Sequence, residues 1–403
     1  MFVSGERPAF WVASRGHHAD VGGVTPGSMP PDSKTIDEEG IRITDFLLVE
    51  EGRFRERELT ELLSQGPYPA RNISQNIGDL HAQIAANEKG GRELNGLVEQ
   101  FGLEAVQAYM NHVRANAAEQ VRQVIDRLKP GHFVQRMDSG AEIHVRIEVD
   151  PEARRATIDF SGTSGQRADN FNAPSAIVNA VVLYVFRTLI KEEIPLNDGC
   201  LDALKILVPK GSMLAPEPPA AVVAGNVETS QAMANALYGA LGVIAAGQGT
   251  MNNLTFGNDR YQYYETIGGG AGAGPDFPGA SAVHTHMTNT RLTDPEVLEL
   301  RYPVVLETFQ IRKKSGGDGR WRGGDGIVRQ LRFREPMKVV ILANHRVVAP
   351  FGLEGGNPGE VGKTSVLRKD GSIEVLASCD QRDVAAGDAI VLETPGGGGF
   401  GGK

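Results

Sequence analysis

Two imidazoles and one carboxylate lie within four residues near the start of the chain, at His17, His18 and Asp20. Neutral imidazole and carboxylate are common ligands of divalent transition metals. In a strand, His18 and Asp20 would share a face, whereas a helical turn would bring His17 and Asp20 together. Either arrangement supplies two or three ligands, and almost no chain precedes them. The sequence therefore predicts half of a metal site, with the remaining ligands coming from elsewhere.

A second group of polar residues stands just before an alanine-rich apolar stretch, in Gly-Asn-Val-Glu-Thr-Ser-Gln at 225–231. One interpretation is a helix N-terminus capped by Thr229 or Ser230. The other is a substrate-binding turn, in which Asn226, Glu228 and Ser230 hold an anionic oxygen at a helix N-terminus. The two interpretations are compatible, and the sequence does not choose between them.

Loops rich in amides, hydroxyls and glycine follow, at 249–258 and 263–270. We expect Asn253 to contact substrate and Glu265 to take part in catalysis. His284 and His286 form a His-x-His pair whose side chains share a face if the segment is extended. Such a pair predicts proton transfer or metal ligation. A site built from these loops would be polar, but no complete catalytic set can be read along the chain.

Two glycine-rich segments resemble nucleotide-binding loops in part. Gly362-Lys363-Thr364 matches the end of a phosphate-binding loop, but Asn357 stands where its first glycine is required and no helical pattern follows. Gly270-Ala-Gly272 is not completed either, because Pro275 replaces the third glycine. If ATP is used, the sequence predicts that another polypeptide binds it.

Composition is that of an ordinary soluble protein of two or three domains. Net charge is −9 and basic residues are not in excess, which argues against nucleic-acid binding. The two cysteines, Cys200 and Cys379, are far apart and indicate a reducing compartment. No signal-peptide pattern opens the chain, and the most apolar window, 232–246, is too short to cross a bilayer. We therefore expect a cytoplasmic protein with no membrane partner.

Hydrophobic periodicity predicts a mixed α+β (α/β) fold. Four segments are predicted: an N-terminal metal-site region at 1–76, a helical segment at 77–135, an α/β substrate-site core at 136–300 and a β-rich C-terminal domain at 301–403. Apolar spacing predicts two amphipathic helices between 77 and 128. The predicted strands are 9–14, 41–49, 143–149, 156–160, 204–208, 304–311, 327–333, 339–342, 365–367 and 390–392, and two further helices are predicted at 175–190 and 230–246.

Seven motifs, in order along the chain, resemble the hydantoinase B/oxoprolinase family. They are Arg-Gly-His-His-Ala-Asp-Val-Gly-Gly at 15–23, Thr-Pro-Gly-Ser-Met-Pro-Pro at 25–31, Gly-Asn-Val-Glu-Thr-Ser-Gln at 225–231, Tyr-Tyr-Glu-Thr-Ile at 263–267, His-Thr-His-Met-Thr-Asn-Thr-Arg at 284–291, Arg-Gly-Gly-Asp-Gly at 322–326 and Thr-Pro-Gly-Gly-Gly-Gly at 394–399. Any one alone would be weak evidence, but together they span nearly the whole chain.

The resemblance implies a partner and a reaction. Members of this family act with a hydantoinase A-type half that binds ATP and phosphorylates the substrate oxygen. Together the two halves open a cyclic amide such as 5-oxoproline, a hydantoin or an N-methylhydantoin. The resemblance also implies a divalent metal in the B-type half, for which His17, His18 and Asp20 are the candidate ligands. Asn226 and Asn253 are candidate oxyanion donors, and a hetero-oligomer is expected.

The sequence departs from the family at its start, because members carry a Thr-His-x-x-Asp stretch before the His-His-Ala-Asp motif and this chain does not. We therefore expect a chain lacking the N-terminal segment of the family. Two alternatives to a cyclic amide hydrolase subunit stay open at this stage. One is a subunit of an acetone- or acetophenone-type ketone carboxylase, and the other is a truncated, non-catalytic assembly component.

Overall fold

The structure is a computed structural model and describes residues 7–402. Its helices are α1 (Glu56–Leu63), α2 (Ile73–Phe101), α3 (Leu103–Ile125), α4 (Ser175–Thr188), α5 (Ser230–Leu241) and α6 (Pro295–Arg301). Its strands are β1 (Val49–Glu50), β2 (Arg53–Phe54), β3 (Gly131–Arg136), β4 (Glu142–Asp150), β5 (Arg155–Asp159), β6 (Leu204–Leu207), β7 (Asn253–Gly257), β8 (Gln262–Glu265), β9 (Val304–Arg312), β10 (Gly326–Phe333), β11 (Met337–Leu342), β12 (Lys363–Leu367), β13 (Ile373–Leu376), β14 (Cys379–Val384) and β15 (Ala389–Glu393).

The first core forms where α4 and α5 pack against a four-stranded sheet in the order β3-β4-β5-β6. The β4–β5 pair is an antiparallel hairpin in which Ile147 faces Ile158. The β5–β6 pair is parallel, because α4 crosses over between the two strands. Alternate residues of these strands point to the helices, and α5 is buried along nearly its whole length.

Two antiparallel sheets enclose the second core. Their strand orders are β14-β11-β7-β8 and β13-β12-β15-β10-β9. The first of them joins β7 and β8 to strands that lie after residue 330. Strands from both sides of residue 300 therefore share one sheet, and the division into four segments stays a prediction.

The mixed α+β class is confirmed, and most predicted elements form. Two long helices occupy 73–125, the predicted hairpin is β4–β5, and the five predicted C-terminal strands are β9, β10, β11, β12 and β15. The helix predicted to reach residue 246 ends at Leu241, because Gly242 adopts the left-handed conformation at φ 69° and stops it. Strands β3, β7, β8, β13 and β14 were not predicted.

The predicted strands at 9–14 and 41–49 are wrong. Residues 9–14 form no strand, and of the second stretch only Val49 enters one, the two-residue β1. Isolated hydrogen bonds to other parts of the chain hold these segments instead of a sheet partner. Ser14 Oγ donates to the carbonyl of Gln83 on α2, and the Ile41 amide donates to the carbonyl of Val21.

Glycine loops from three parts of the chain meet around the segment 394–401. The Gly397 amide donates to the Gly324 carbonyl at 2.9 Å, and the Gly397 carbonyl accepts from the Gly317 amide at 2.8 Å. A Cβ on Gly397 would lie 1.9 Å from the carbonyl oxygen of Ala271. Backbones approach so closely here that only glycine fits. We call this region, residues 268–274, 315–326, 351–359 and 394–401, the glycine junction.

None of the helices formed by residues 7–402 combines the length and the apolar character that a membrane span requires.

Candidate active site

A stripe of buried polar side chains runs along the start of α5. A π-helical turn, Gly225–Thr229, leads directly into the helix, so Glu228, Gln231 and Asn235 project from one face at successive turns. All three are buried. Neither Thr229 nor Ser230 caps the helix, because the Thr229 hydroxyl donates to the Phe171 carbonyl and the Ser230 hydroxyl donates to the Asn226 carbonyl. The capping interpretation is therefore wrong.

Glu228 is the end of a hydrogen-bonded chain. Its Oε1 accepts from the Met251 amide at 3.0 Å and from Asn253 Nδ2 at 2.7 Å. Asn253 Oδ1 in turn accepts from the Tyr264 hydroxyl at 2.8 Å. Glu228 Oε2 has no hydrogen-bond partner among the described residues. Burial raises the pKa of Glu228 to about 8, although nearby hydrogen bonds and the Arg346 charge oppose this rise. The carboxyl is therefore mostly protonated at neutral pH.

Gln231 links this stripe to the His-x-His segment. Its Nε2 donates to the Thr285 carbonyl at 2.9 Å and to the Thr288 hydroxyl at 2.7 Å. His286, in the left-handed conformation at φ 49°, packs against the rings of Tyr184 and Tyr238. Burial lowers the pKa of His286 to about 4, and the same cause lowers the pKa of His284. The His286 ring is consequently neutral at physiological pH.

A further histidine, His345, lies near Asn235, beside the loop at Gly249. Asn235 Oδ1 accepts from the Gly247 amide at 3.1 Å. A Cβ on Gly249 would lie 2.9 Å from Asn235 Nδ2 and 2.2 Å from His345 Nε2, so the loop passes directly over both side chains. His345 Nδ1 lies 2.6 Å from the Val348 carbonyl oxygen, which can only accept. The His345 Nδ1 therefore carries the hydrogen, and Nε2 carries a lone pair.

Six buried side-chain atoms in this region have no hydrogen-bond partner among residues 7–402. They are Glu228 Oε2, Gln231 Oε1, His284 Nδ1, Thr285 Oγ1, His286 Nε2 and His345 Nε2. Buried polar atoms are normally paired, and a concentration of unpaired ones marks a functional region more often than a packing region. We call these six residues, with Asn235, Asn253 and Tyr264, the polar cluster.

The N-terminal motifs pack beside this cluster. Gly27 lies against β7 and β8, where a Cβ would be 2.6 Å from Thr255 Cγ2 and 3.9 Å from Tyr264 Cβ. The buried carboxylate of Glu39 accepts from the amides of Val222 and Val223, at the entry to the π-helical turn. The loop 25–39 therefore holds the turn that presents Glu228.

The three predicted metal ligands differ in their surroundings. His17 is exposed, and His18 Nδ1 lies 3.0 Å from Asp79 Oδ2 on α2. Asp20 is buried, and its two oxygens accept from the amides of Gly22, Gly27 and Arg71 and from Arg71 Nη1, at 2.9–3.0 Å.

Asp20 therefore does not fit a metal ligand as it stands, because Gly22, Gly27 and Arg71 use its acceptor positions. In residues 7–402 no group of three or more His, Cys, Asp or Glu side chains is arranged to hold a metal ion. Metal binding at His17, His18 and Asp20 stays a prediction.

Of the predicted catalytic and substrate-binding residues, the polar cluster unites Glu228, Asn253, His284 and His286. Ser230 is buried on the same helix, and its hydroxyl donates a hydrogen bond to the Asn226 carbonyl. Asn226 is the second residue of the π-helical turn, and its side chain is exposed.

Glu265 lies elsewhere, in the second core. Its oxygens accept from Arg329 Nε at 2.8 Å and Nη2 at 3.0 Å, and Oε2 also accepts from the Tyr263 hydroxyl. A carboxylate paired in this way holds two sheets together, and its role in catalysis stays a prediction.

Sequence reasoning missed Gln231, Asn235, Tyr264 and His345 as members of the cluster. The 3-and-4-residue spacing from Glu228 through Gln231 to Asn235 could have revealed the first two, since it places polar groups on one face of an apolar helix. His345 follows the apolar strand β11 directly, in Ala-Asn-His-Arg. Nothing local in the sequence shows that this loop reaches α5.

Comparison with known proteins now defines the class. The sequence profile of the hydantoinase B/oxoprolinase family matches residues 1–403, and the chain belongs to this family. It is 46% identical over 419 residues to 5-oxoprolinase 1 of Arabidopsis thaliana, covering 97% of this chain and 33% of that protein. The chain thus spans about a third of the length of this relative.

Two solved structures share the fold. The ATP-dependent caprolactamase of Pseudomonas jessenii superposes with a TM-score of 0.81 at 24% identity, covering 96% of this chain and 71% of that one. A nucleotide-free acetone carboxylase superposes with a TM-score of 0.82 at 19% identity, covering 96% and 60%. At these identities the likeness shows the fold alone.

Proposed function

We propose that this chain is the B-type part of an ATP-dependent cyclic amide hydrolase, opening the ring of 5-oxoproline, a hydantoin or an N-methylhydantoin. Membership of the hydantoinase B/oxoprolinase family and the 46% identity to a 5-oxoprolinase support this reading. An ATP-binding, hydantoinase A-type polypeptide is the proposed partner, in a hetero-oligomer. The position of Lys363 and Thr364 supports assigning ATP to the partner, because these residues begin strand β12 and only strands follow them up to residue 402.

The observation that carries the proposal is that an imidazole nitrogen, His286 Nε2, and a carboxyl oxygen, Glu228 Oε2, are both buried and unpaired within the polar cluster along α5. His286 Nε2 is free of hydrogen bonds within the described protein and, with a pKa of about 4, is unprotonated. It can take a proton from an attacking water. The Nδ2 hydrogens of Asn253 and the Nε2 hydrogens of Gln231 are donated to protein groups, so the protonated Glu228 carboxyl is the donor that this proposal assigns to the substrate.

Phosphorylation of the lactam oxygen makes the amide carbon electrophilic, and the partner would perform this step with ATP. The B-type part would then bind the activated ring, exclude bulk water and direct one water molecule to the carbon. A divalent metal at His18, with Asp79 beside it, belongs to this proposal only as a prediction. No step is assigned to it, because the described residues do not complete a metal site.

The test is ring opening by the reconstituted pair. The chain is co-expressed with an A-type partner, and the ring-opened acid is measured with 5-oxoproline, hydantoin and N-methylhydantoin, with and without ATP. His286→Gln should lower kcat at least about 100-fold, since general base catalysis contributes typically 10²–10⁴. The matched control is His132→Gln, on the exposed side of β3. No ATP-dependent opening of any of the three rings by the wild-type pair would overturn the proposal, as would full activity of His286→Gln.

A further inference from the structure

We propose that Glu228 is the catalytic acid of this site, donating a proton from Oε2 to the ring nitrogen as the amide bond breaks. The inference rests on the proposed function and deepens it, because it gives one residue of the cluster a directional chemical role. It also defines the ligand: a group that accepts a hydrogen bond, not a cation.

The direction of the hydrogen bonds around Glu228 identifies which oxygen can donate. Asn253 Nδ2 has two hydrogens, and both are used, at 2.7 Å to Glu228 Oε1 and at 2.7 Å to the Leu342 carbonyl. The Tyr264 hydroxyl fixes the amide orientation by donating to Asn253 Oδ1. Oε1 is therefore an acceptor of two hydrogen bonds, one from Asn253 and one from the Met251 amide. The carboxyl hydrogen is left to Oε2.

The surroundings favour the uncharged form of this carboxyl. Glu228 is completely buried and makes no salt bridge with a described residue. The nearest cation, Arg346, directs its guanidinium to Asn252 Oδ1, the Asn344 carbonyl and the Thr364 hydroxyl instead. The Thr250 hydroxyl also lies close to Glu228 and opposes protonation, but desolvation is the larger influence. A pKa of about 8 agrees with this geometry.

A proton donor is what the reaction requires at this point. When water attacks the activated carbon, a C–O bond forms and one proton of the water passes to His286 Nε2. The ring C–N bond then breaks, its electron pair goes to nitrogen, and the Glu228 Oε2 proton completes the released N–H group. As the carbonyl forms, the remaining hydroxyl proton passes to solvent and an acyl phosphate is left. A second water hydrolyses this acyl phosphate to the carboxylate and inorganic phosphate, which carries away the activating group that ATP supplied. Glu228 is then an anion and regains its proton from the imidazolium of His286 through water, so that both residues return to their starting state.

The first test needs no substrate and no partner. Infrared difference spectra of the purified chain, recorded through a pH titration, should show a protonated carboxyl band at pH 7 that disappears as pH rises through about 8. Glu228→Gln should remove this band. Glu39→Gln is the control, because burial also raises the pKa of Glu39 and its band must be told apart. Absence of a Glu228 band at pH 7 would overturn the inference.

The second test uses the reconstituted pair. Glu228→Gln keeps the shape and a hydrogen-bond donor but cannot release a proton, so kcat should fall about 100-fold while KM changes less than about 3-fold. The alkaline decline of the wild-type pH profile should be absent from the residual activity. Glu152→Gln, at the exposed β4–β5 turn, should behave as wild type.

The two tests separate the failure of this inference from failure of the proposed function. An inactive wild-type pair that still shows the Glu228 band would refute the proposed reaction and leave the protonated carboxyl standing. An active wild-type pair in which Glu228→Gln is equally active, with an unchanged pH profile, would refute the role of Glu228 alone. Thermal melts of both variants show whether either has lost its fold.

Discussion

Replacing Glu265 by glutamine should destabilise the protein without touching the polar cluster. The Arg329 guanidinium is 1% exposed and Glu265 is 4% exposed, and two hydrogen bonds of 2.8 and 3.0 Å join them between β8 and β10. Glutamine leaves the buried Arg329 charge without a counter-charge, which costs about 3–5 kcal/mol in comparable buried pairs. For a chain of 403 residues, per-residue unfolding entropies convert that loss into a fall in Tm of about 4–6 °C.

The assay is urea unfolding followed by circular dichroism, with Tm measured in parallel. The unfolding midpoint should fall while the slope m is unchanged, because the surface exposed on unfolding is the same. The double variant Glu265→Met with Arg329→Met should recover most of the loss, since removing both charges relieves the unpaired one. A Glu265→Gln protein with a wild-type midpoint but no ring-opening activity would refute this reasoning and restore Glu265 as a catalytic residue.

Three further predictions concern the loop around Asp20, the glycine junction and the imidazole of His286. Asp20→Asn should lower the free energy of unfolding by about 2–3 kcal/mol, because the NH₂ group of the new side chain would face donors from Arg71 and the loop backbone. Urea denaturation measures this loss, and an unchanged unfolding midpoint would contradict it. Gly397→Ala should lower the free energy of unfolding by about 3 kcal/mol, because the added Cβ clashes with the carbonyl oxygen of Ala271. Gly402→Ala is the control, since its Cβ meets no atom within 4 Å, and its unfolding midpoint in urea should be unchanged. His286 should stay neutral in an NMR titration of the folded protein down to about pH 4. Because this histidine takes up its proton at a higher pH in the unfolded chain, the stability of the fold should decrease as pH drops from about 6.5 towards 4. A His286 pKa near 6.5 in the folded protein would contradict this.

Regular elements were predictable where burial repeats along the chain. The α3 pattern of Val106, Ala117 and Val121 and the alternation in β4 come from one face meeting one core, which sequence records directly. Some strands were missed because their own residues do not look like strands. β7 is buried throughout and reads as a polar loop, whereas β13 and β14 are short and mostly only partly buried. Their pairing partners, not their own sequences, make them strands.

The site was predictable in its residue types but not in its assembly. Glu228 was identified as a candidate because a polar segment stands just before an apolar stretch, and His286 because it belongs to a His-x-His pair. Glu265 looked equally promising in sequence, and only the approach of Arg329, sixty-four residues later, shows what it binds. His345 joins the cluster through a loop after β11. Long-range partners of this kind leave no local trace in a single sequence.

The glycine junction ties three distant loops of the chain to one segment. Residues 394–401 form hydrogen bonds with backbone near 271, 317, 324 and 353. The same junction touches Ala246, beside the loop that covers Asn235 and His345. A bulkier residue within 394–401 would therefore displace the backbone that covers the polar cluster, although no residue of the junction belongs to that cluster.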